Sequence, residues 1–164
     1  MSSIFSLENK VALVTGGSRG IGLAIALELA ARGAAVVVNY HKSPESAEEV
    51  VNKIKEAGGK AALSQADVSN YKQAETLVKF VIEIFGDLSI LVNNAGITRD
   101  QLIMMMPETD WDTVINTNLK STFNCSKAAV KHLMRKRVGR IINIASVAGQ
   151  MGNPGQTNYS ASKG

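Results

Sequence analysis

Short apolar runs and longer amphipathic stretches alternate along the chain. Residues 11–14 form a continuous apolar run that stops at Thr15-Gly16-Gly17, the signature of a strand buried on both faces. Residues 21–31 are helix formers, and Gly33 is placed to end them as a C-cap. A second strand, Val-rich, spans 35–39. Ser43-Pro44 then reads as an N-cap with proline at the first helical position, opening a helix that runs to about Ala57 and stops at Gly58-Gly59. A third strand covers 60–66. Ser69 or Asn70 caps the next helix, where Leu77, Val78, Val81, Ile82 and Phe85 share one face and Gly86 closes it. Residues 88–92 are a fourth strand. A long helical region over 108–137 is expected to bend near 116–118, and residues 140–145 form a fifth strand.

Strands alternating with helices give right-handed βαβ units and a parallel sheet. The expected fold is α/β: a doubly wound, Rossmann-like sheet with strand order 3-2-1-4-5, forming one domain over residues 1–164. Composition agrees: 45% hydrophobic and 20% charged residues, with 14 Gly and 3 Pro, exclude a disordered or collagen-like chain. No apolar run reaches the roughly 18 residues of a membrane span. The first ten residues lack a basic segment followed by an apolar one, so no leader and no membrane association are expected. The single cysteine, Cys125, cannot pair internally, which fits a reducing, cytoplasmic setting. A net charge of +4 is too mild and too dispersed to point to nucleic acid. Its densest part, Arg135-Lys136-Arg137 with Arg140, reads either as cations on a helix C-terminus or as a docking surface for an acidic partner.

In such a sheet, ligands bind at the carboxyl ends of the strands. Strand 1 leads into Gly16-x-x-x-Gly20-x-Gly22, strand 3 into Asp67-Val68, strand 4 into Asn94-Ala95-Gly96 and strand 5 into Ser146. The glycines allow a tight turn, and the helix after them offers free N–H groups and a positive dipole end to a phosphate. The end of strand 2, Asn39-Tyr40-His41-Lys42, has no acidic residue for a ribose 2′-hydroxyl, and Arg19 lies in the glycine loop. Both features favour NADP(H) over NAD(H). Tyr159 and Lys163, spaced i, i+4, share a helix face, where an ammonium can stabilise a phenolate.

Taken in order, Thr15-Gly16-x-x-x-Gly20-x-Gly22, Asp67-Val68, Asn93-Asn94-Ala95-Gly96, Asn118, Ser146 and Tyr159-x-x-x-Lys163 resemble the short-chain dehydrogenase/reductase family. The resemblance implies catalytic roles for four residues. Tyr159 would donate a proton to the substrate carbonyl oxygen. Lys163 would stabilise the phenolate and bond the nicotinamide ribose. Ser146 would hold the carbonyl, and Asn118 would position a water leading from Lys163 to solvent. It also implies that Gly16, Ser18, Arg19, Gly20, Ile21, Gly22, Asp67, Val68 and Asn94, together with Tyr159 and Lys163, hold the cofactor. No metal is implied.

Residues 93–100, 111–119 and 139–159 look most like members that reduce 3-oxoacyl thioesters on acyl carrier protein with NADPH, in fatty-acid synthesis. The resemblance therefore implies an acyl carrier protein as partner, with Arg137 as a contact, and a homo-oligomer, a tetramer in the complete chain. Family members continue well past the Tyr-x-x-x-Lys motif. The 164 residues are accordingly expected to be the N-terminal two-thirds of a single-domain reductase, with an unfinished sheet edge beside strand 5. The helix bearing Tyr159 and Lys163 is expected to hold only its first turn or so, marginal by itself. Two other functions remain open: a short-chain reductase for 3-oxoacyl-CoA, a sugar or a cyclic ketone, and a non-catalytic nucleotide-binding or dimerising module.

Overall fold

Val11–Val14 (β1) is the middle strand of a five-stranded parallel sheet in the computed structural model, which describes residues 5–164. Met1–Ile4, and with them part of the leader reading, lie outside the described residues. The remaining strands are β2 (Ala35–Tyr40), β3 (Ala61–Gln65), β4 (Ile90–Asn93) and β5 (Arg140–Asn143), and the order is β3-β2-β1-β4-β5, as expected for the doubly wound nucleotide-binding fold. The helices are α1 (Gly20–Ala31), α2 (Pro44–Glu56), α3 (Tyr71–Phe85), α4 (Glu108–Ile115), α5 (Ser121–Lys136), α6 (Val147–Met151) and α7 (Thr157–Lys163). Among the described residues no helix is long and apolar enough to cross a membrane.

Strand periodicity divides the core. Val11, Leu13, Val37 and Leu91 point to one face and pack with Leu77, Val81, Cys125 and Leu133 of α3 and α5. Ala12, Val14, Val36, Val38 and Val92 point to the other and pack with Ala26 of α1 and Val50 and Ile54 of α2. Each such large side chain, taken fully from water, contributes about 1.5–3 kcal/mol. Burial also pushes the Cys125 thiol up to about 12, so it stays protonated and unreactive.

Several boundaries differ from the sequence reading. β2 runs on through Tyr40, because Tyr40 pairs with Gln65 and is buried. β4 starts at Ile90, not Leu88, although Ser89 just before it still bonds β1, its N–H donating to the Val11 carbonyl (2.8 Å). Asn70, not Ser69, caps α3, its side chain accepting from the Gln73 N–H (3.2 Å). Ser43 precedes Pro44 as expected, but its side chain caps nothing. The bend near 116–118 is a π-helical turn, Asn116–Lys120, between α4 and α5. A 3₁₀ turn at Ile103–Met105 and helix α6 are too short to leave a periodic signal. β5 forms the sheet edge, with all four residues exposed.

At the amino end of β4, Asp87 Oδ1 lies 2.8 Å from His132 Nε2 and 3.0 Å from Lys136 Nζ. Burial alone would raise the Asp87 carboxyl. The hydrogen bonds from His132, Lys136, Ser89 and the Leu88 N–H outweigh it and hold the carboxyl well below the usual range. Such a group stabilises the fold above its unfolded pKa, about 4, and the contribution is lost as pH falls through the folded value. Asp87→Asn is therefore expected to lower the melting temperature at pH 7 and to flatten its fall between about pH 5 and 2. Melts recorded across that range test this; an unchanged acid limb counts against the pairing.

Candidate functional site

The glycine loop is fixed by its neighbours before any ligand is considered. Thr15 Oγ1 donates to the Val92 carbonyl (3.3 Å) and accepts from the N–H groups of Asn94 (3.0 Å) and Ala95 (3.1 Å), joining β1 to the end of β4. Asn94 Nδ2 donates to the carbonyls of Thr15 (3.0 Å) and Gly16 (3.1 Å). On the other side, Asn39 Oδ1 accepts from the Gly16 N–H (3.3 Å) and Asn39 Nδ2 donates to the Ala66 carbonyl (3.1 Å). Asn39 thus belongs to the sheet, at 2% exposure, while His41 and Lys42 beyond it are exposed.

Gly16 and Gly20 take left-handed φ values of 59° and 54°. A side chain on Gly22 would stand 2.5 Å from Asn94 Nδ2 and closer still to the Gly16 carbonyl. α1 therefore enters against the loop with no room for a Cβ. Its N-cap, Arg19, is extended and supplies no side-chain cap, so the first-turn amides keep their capacity to bind an anion. Ser18 is buried in the loop; Arg19 and Ile21 are exposed beside it. After β3, Asp67 Oδ1 accepts from the N–H (3.0 Å) and hydroxyl (2.7 Å) of Ser69, and the Val68 carbonyl accepts from Asn124 Nδ2 (3.0 Å). This set of open amides, glycines and an uncapped helix start fits a pyrophosphate-bearing nucleotide.

The second half of the edge is built by α6 and α7. Ser146 is the N-cap of α6, its Oγ accepting from the Ala148 N–H (3.2 Å), which leaves the hydroxyl hydrogen to donate elsewhere. Lys163 Nζ donates to the Ile144 carbonyl just beyond β5 (2.7 Å). Burial pushes the Lys163 pKa down from its ordinary value. Asn118, in the π-helical turn, accepts from the Ile97 N–H (2.8 Å) and donates to the Ile97 carbonyl (3.0 Å) and to Ser162 Oγ (2.9 Å). Both its N–H hydrogens are used by protein, and one lone pair of Oδ1 remains for a further donor. A Cβ on Gly96 would lie 3.3 Å from Asn118 Oδ1 and 3.6 Å from Lys163 Nζ, so these two groups flank one glycine.

α7 is a seven-residue helix and not a single frayed turn. Tertiary bonds replace what its length lacks: Asn158 Nδ2 donates to the Arg99 carbonyl (3.0 Å) and Gln156 Nε2 to Asp100 Oδ2 (2.9 Å). Sequence reading assigned no role to Asn158, Ser162 or Asn93, although Asn93 stands in the quoted motif, and it missed the structural part of Asn39. Asn93 Nδ2 donates to Asn143 Oδ1 (2.9 Å) and Ser126 Oγ (3.1 Å), tying β4 to β5 and α5. Short polar residues at strand ends were the available signal.

A cavity of about 600 Å³ opens at the opposite end of the sheet, lined by Leu27, Ala30, Ile54 and Phe85. The carbonyl ends of α1, α2 and α3 converge there, so it lacks the free helix amides that the glycine-loop edge offers to a phosphate. The glycine-loop edge remains the candidate site.

The profile described as short chain dehydrogenase matches residues 10–164. The chain is 53% identical over 154 residues to the 3-oxoacyl-(acyl-carrier-protein) reductase FabG of Staphylococcus aureus strain Mu50, covering 94% of this chain and 63% of that protein. It is 52% identical over 158 residues to the 3-oxoacyl-(acyl-carrier-protein) reductase of Synechocystis, covering 96% and 64% respectively. The chain thus spans less than two-thirds of the length of these relatives. The crystal structure of a short chain dehydrogenase from Mycobacterium avium superposes with a TM-score of 0.90 at 40% identity, over 96% of this chain and 59% of that one. Sheet order, glycine loop and profile match agree: the chain belongs to the short-chain dehydrogenase family.

Proposed function

We propose that this chain is the cofactor-binding and catalytic portion of a reductase that uses NADPH to convert a 3-oxoacyl thioester on acyl carrier protein into the 3-hydroxyacyl form. The observation that carries the reading is the docking of α7. Lys163 on the Ile144 carbonyl and Asn118 on Ser162 bring the Tyr159-x-x-x-Lys163 helix to the same sheet edge as the glycine loop. The names of the Staphylococcus and Synechocystis relatives support the substrate.

In this reading Gly16, Ser18, Arg19, Gly20, Ile21, Gly22, Asp67, Val68 and Asn94 hold NADP(H). Asn94 acts mainly by fixing the loop. When bound, the nicotinamide supplies the hydride for the carbonyl carbon. Ser146 directs its free hydroxyl hydrogen to the carbonyl oxygen, Tyr159 gives that oxygen its phenolic proton, and Lys163 holds its charge nearby on the Ile144 carbonyl. Asn118 keeps α7 in place and has one lone pair for a water on the way to solvent. The direct test is NADPH oxidation in the presence of a 3-oxoacyl thioester. It is run on a chain of the relatives' full length that carries these residues; absence of turnover there overturns the reading.

Arg19 is exposed at the loop, and no acidic residue ends β2. Arg19→Ala is expected to weaken NADPH binding about tenfold or more while changing NADH binding little, because one charge-assisted contact to the 2′-phosphate is lost. Calorimetry with both cofactors checks this, and equal losses for the two would sink the assignment.

The complete protein, in the same reading, is a cytoplasmic homotetramer. Leu119 in the π-helical turn and Phe123, Val130 and Met134 of α5 are exposed apolar residues on one face that supports assembly there. Arg137, exposed at the end of α5, is read as a contact for the acidic carrier protein. Arg137→Glu is expected to raise KM for the carrier-bound substrate severalfold and to leave KM for a small thioester analogue nearly unchanged. The difference shrinks with added salt as the Debye length falls below about 8 Å. Equal effects on both substrates leave Arg137 as a helix-end cation only.

A further inference from the structure

The basic run Arg135-Lys136-Arg137 is held from below by two residues of another segment. Asp87 Oδ1 takes His132 Nε2 (2.8 Å) and Lys136 Nζ (3.0 Å), and Oδ2 accepts from Ser89 Oγ (3.0 Å). His132 Nε2 also lies 3.3 Å from the Leu88 nitrogen. One nitrogen cannot donate to Asp87 and accept from Leu88 at once. The shorter contact decides: Nε2 donates to the carboxylate, and the Leu88 N–H turns to the same carboxylate. Ser89 continues the node. Its carbonyl accepts from the Arg140 N–H (2.9 Å), and its Oγ accepts from the Val11 N–H (3.2 Å).

The residues on either side of Arg137 are therefore both tied down, Lys136 through its side chain and Arg140 through its backbone. Between them Arg137 sits in the left-handed region, φ 54° and ψ 18°, with its N–H on the Met134 carbonyl (3.2 Å). Such a conformation is strained in a residue with a long side chain and persists only where its surroundings enforce it. Gly139, just before β5, is pressed against Leu133: a Cβ there would stand 2.5 Å from Leu133 Cδ2. The charges divide accordingly. Lys136 is neutralised by Asp87, whereas Arg135, Arg137 and Arg140 have no carboxylate partner among the described residues.

We infer that Asp87 is a positioning residue for partner docking: it clamps the end of α5 to the start of β4 so that Arg135, Arg137 and Arg140 stand as a fixed cationic patch for an acidic carrier protein. The inference rests on the carrier-protein reading above. It assigns Lys136, in the middle of the basic run, to the clamp and not to the partner. It also fixes a sign. Simple charge counting says that neutralising Asp87 makes the surface more positive and tightens binding of an acidic protein; loss of a clamp weakens it.

The test measures binding of fluorescently labelled acyl carrier protein by anisotropy, and hydrogen exchange at the Arg137 and Arg140 amides, in a chain of the relatives' full length that carries these residues and in its variants. Asp87→Asn is expected to weaken carrier binding roughly three- to tenfold despite the added positive charge, and to speed exchange at both amides about tenfold. Binding that is unchanged or tighter, or exchange that is unchanged, overturns the inference. Lys136→Gln reaches the clamp from the other side and serves if Asp87→Asn does not fold. A clamp residue weakens binding and speeds exchange together, whereas a direct contact weakens binding alone and would refute the assignment. Arg137→Glu separates the two levels. If it leaves carrier binding intact, the carrier reading falls and the inference with it. If it abolishes binding while Asp87→Asn has no effect, only the inference falls.

Discussion

Under the proposed function, replacing Tyr159 by phenylalanine in a chain of the relatives' full length is expected to lower kcat by about 10²–10⁴-fold, with the dissociation constant for NADPH changed little. The substitution isolates one proton. Tyr159 is half-buried on α7, and its backbone N–H bonds Asn158 Oδ1 (2.8 Å). Asn158 is fully buried and bonded to the Arg99 carbonyl. None of these contacts involves the phenolic hydroxyl, so the phenyl ring keeps its place and α7 its docking. What disappears in the proposed mechanism is the group that protonates the carbonyl oxygen as the alkoxide forms. Ser146 cannot replace it, since a serine hydroxyl is a far weaker acid than a phenol. Steady-state kinetics and cofactor calorimetry on the same preparation check the split. Turnover within a few-fold of the parent would show that another group is the acid. A parallel loss of cofactor affinity would mean that the ring, not the proton, matters.

How much of this site is legible from sequence depends on the kind of force that fixes each part. β1 and β2 are continuous apolar runs because helices cover both faces of the sheet, and the four residues of Val11–Val14 are all buried. The parallel sheet follows from the alternation of elements, and the strand order from the nucleotide-binding class of doubly wound fold. The functional edge is legible because small and polar residues cluster where four of the strands end. The bend in the long helix is visible as a pair of asparagines. Its π-helical cause is not, because that register is set by Asn118 reaching Ile97 and Ser162, contacts between distant parts of the chain. The same holds for α7. Helix-nucleation arguments make a seven-residue helix marginal, and bonds from Asn158, Gln156 and Lys163 to two other segments, at 99–100 and at 144, override them. In the sequence Asn39 only marks the lack of an acid at the end of strand 2, yet it is a buried brace between the glycine loop and Ala66. The basic run near 135–137 reads as uniform charge, and only the fold removes Lys136 from it.

Gly22→Ala is expected to destabilise the protein by about 2–4 kcal/mol and to abolish measurable NADPH binding, although alanine is the better helix former by about 1 kcal/mol. Gly22 lies in the first turn of α1, where propensity favours the substitution. Sterics decide against it. The new Cβ would stand 2.5 Å from Asn94 Nδ2 and closer to the Gly16 carbonyl, and neither is the free end of a flexible side chain. Asn94 Nδ2 is held by the carbonyls of Thr15 and Gly16. To relieve the overlap, either Asn94 gives up those bonds, at about 1 kcal/mol each, or α1 moves off the loop and carries its first-turn amides away from the phosphate position. Against a total stability of about 5–15 kcal/mol for an ordinary domain, that loss is large but leaves a folded protein to measure. Gly20→Ala provides the contrast. A Cβ there meets nothing within 4 Å, and only its φ of 54° opposes the change, a cost of about 1–2 kcal/mol. Urea unfolding of both variants, with cofactor titration of each, separates crowding from backbone strain. If Gly22→Ala unfolds at the same denaturant concentration as the parent, the close approach of α1 to the glycine loop is wrong, and so is the cofactor seat built on it.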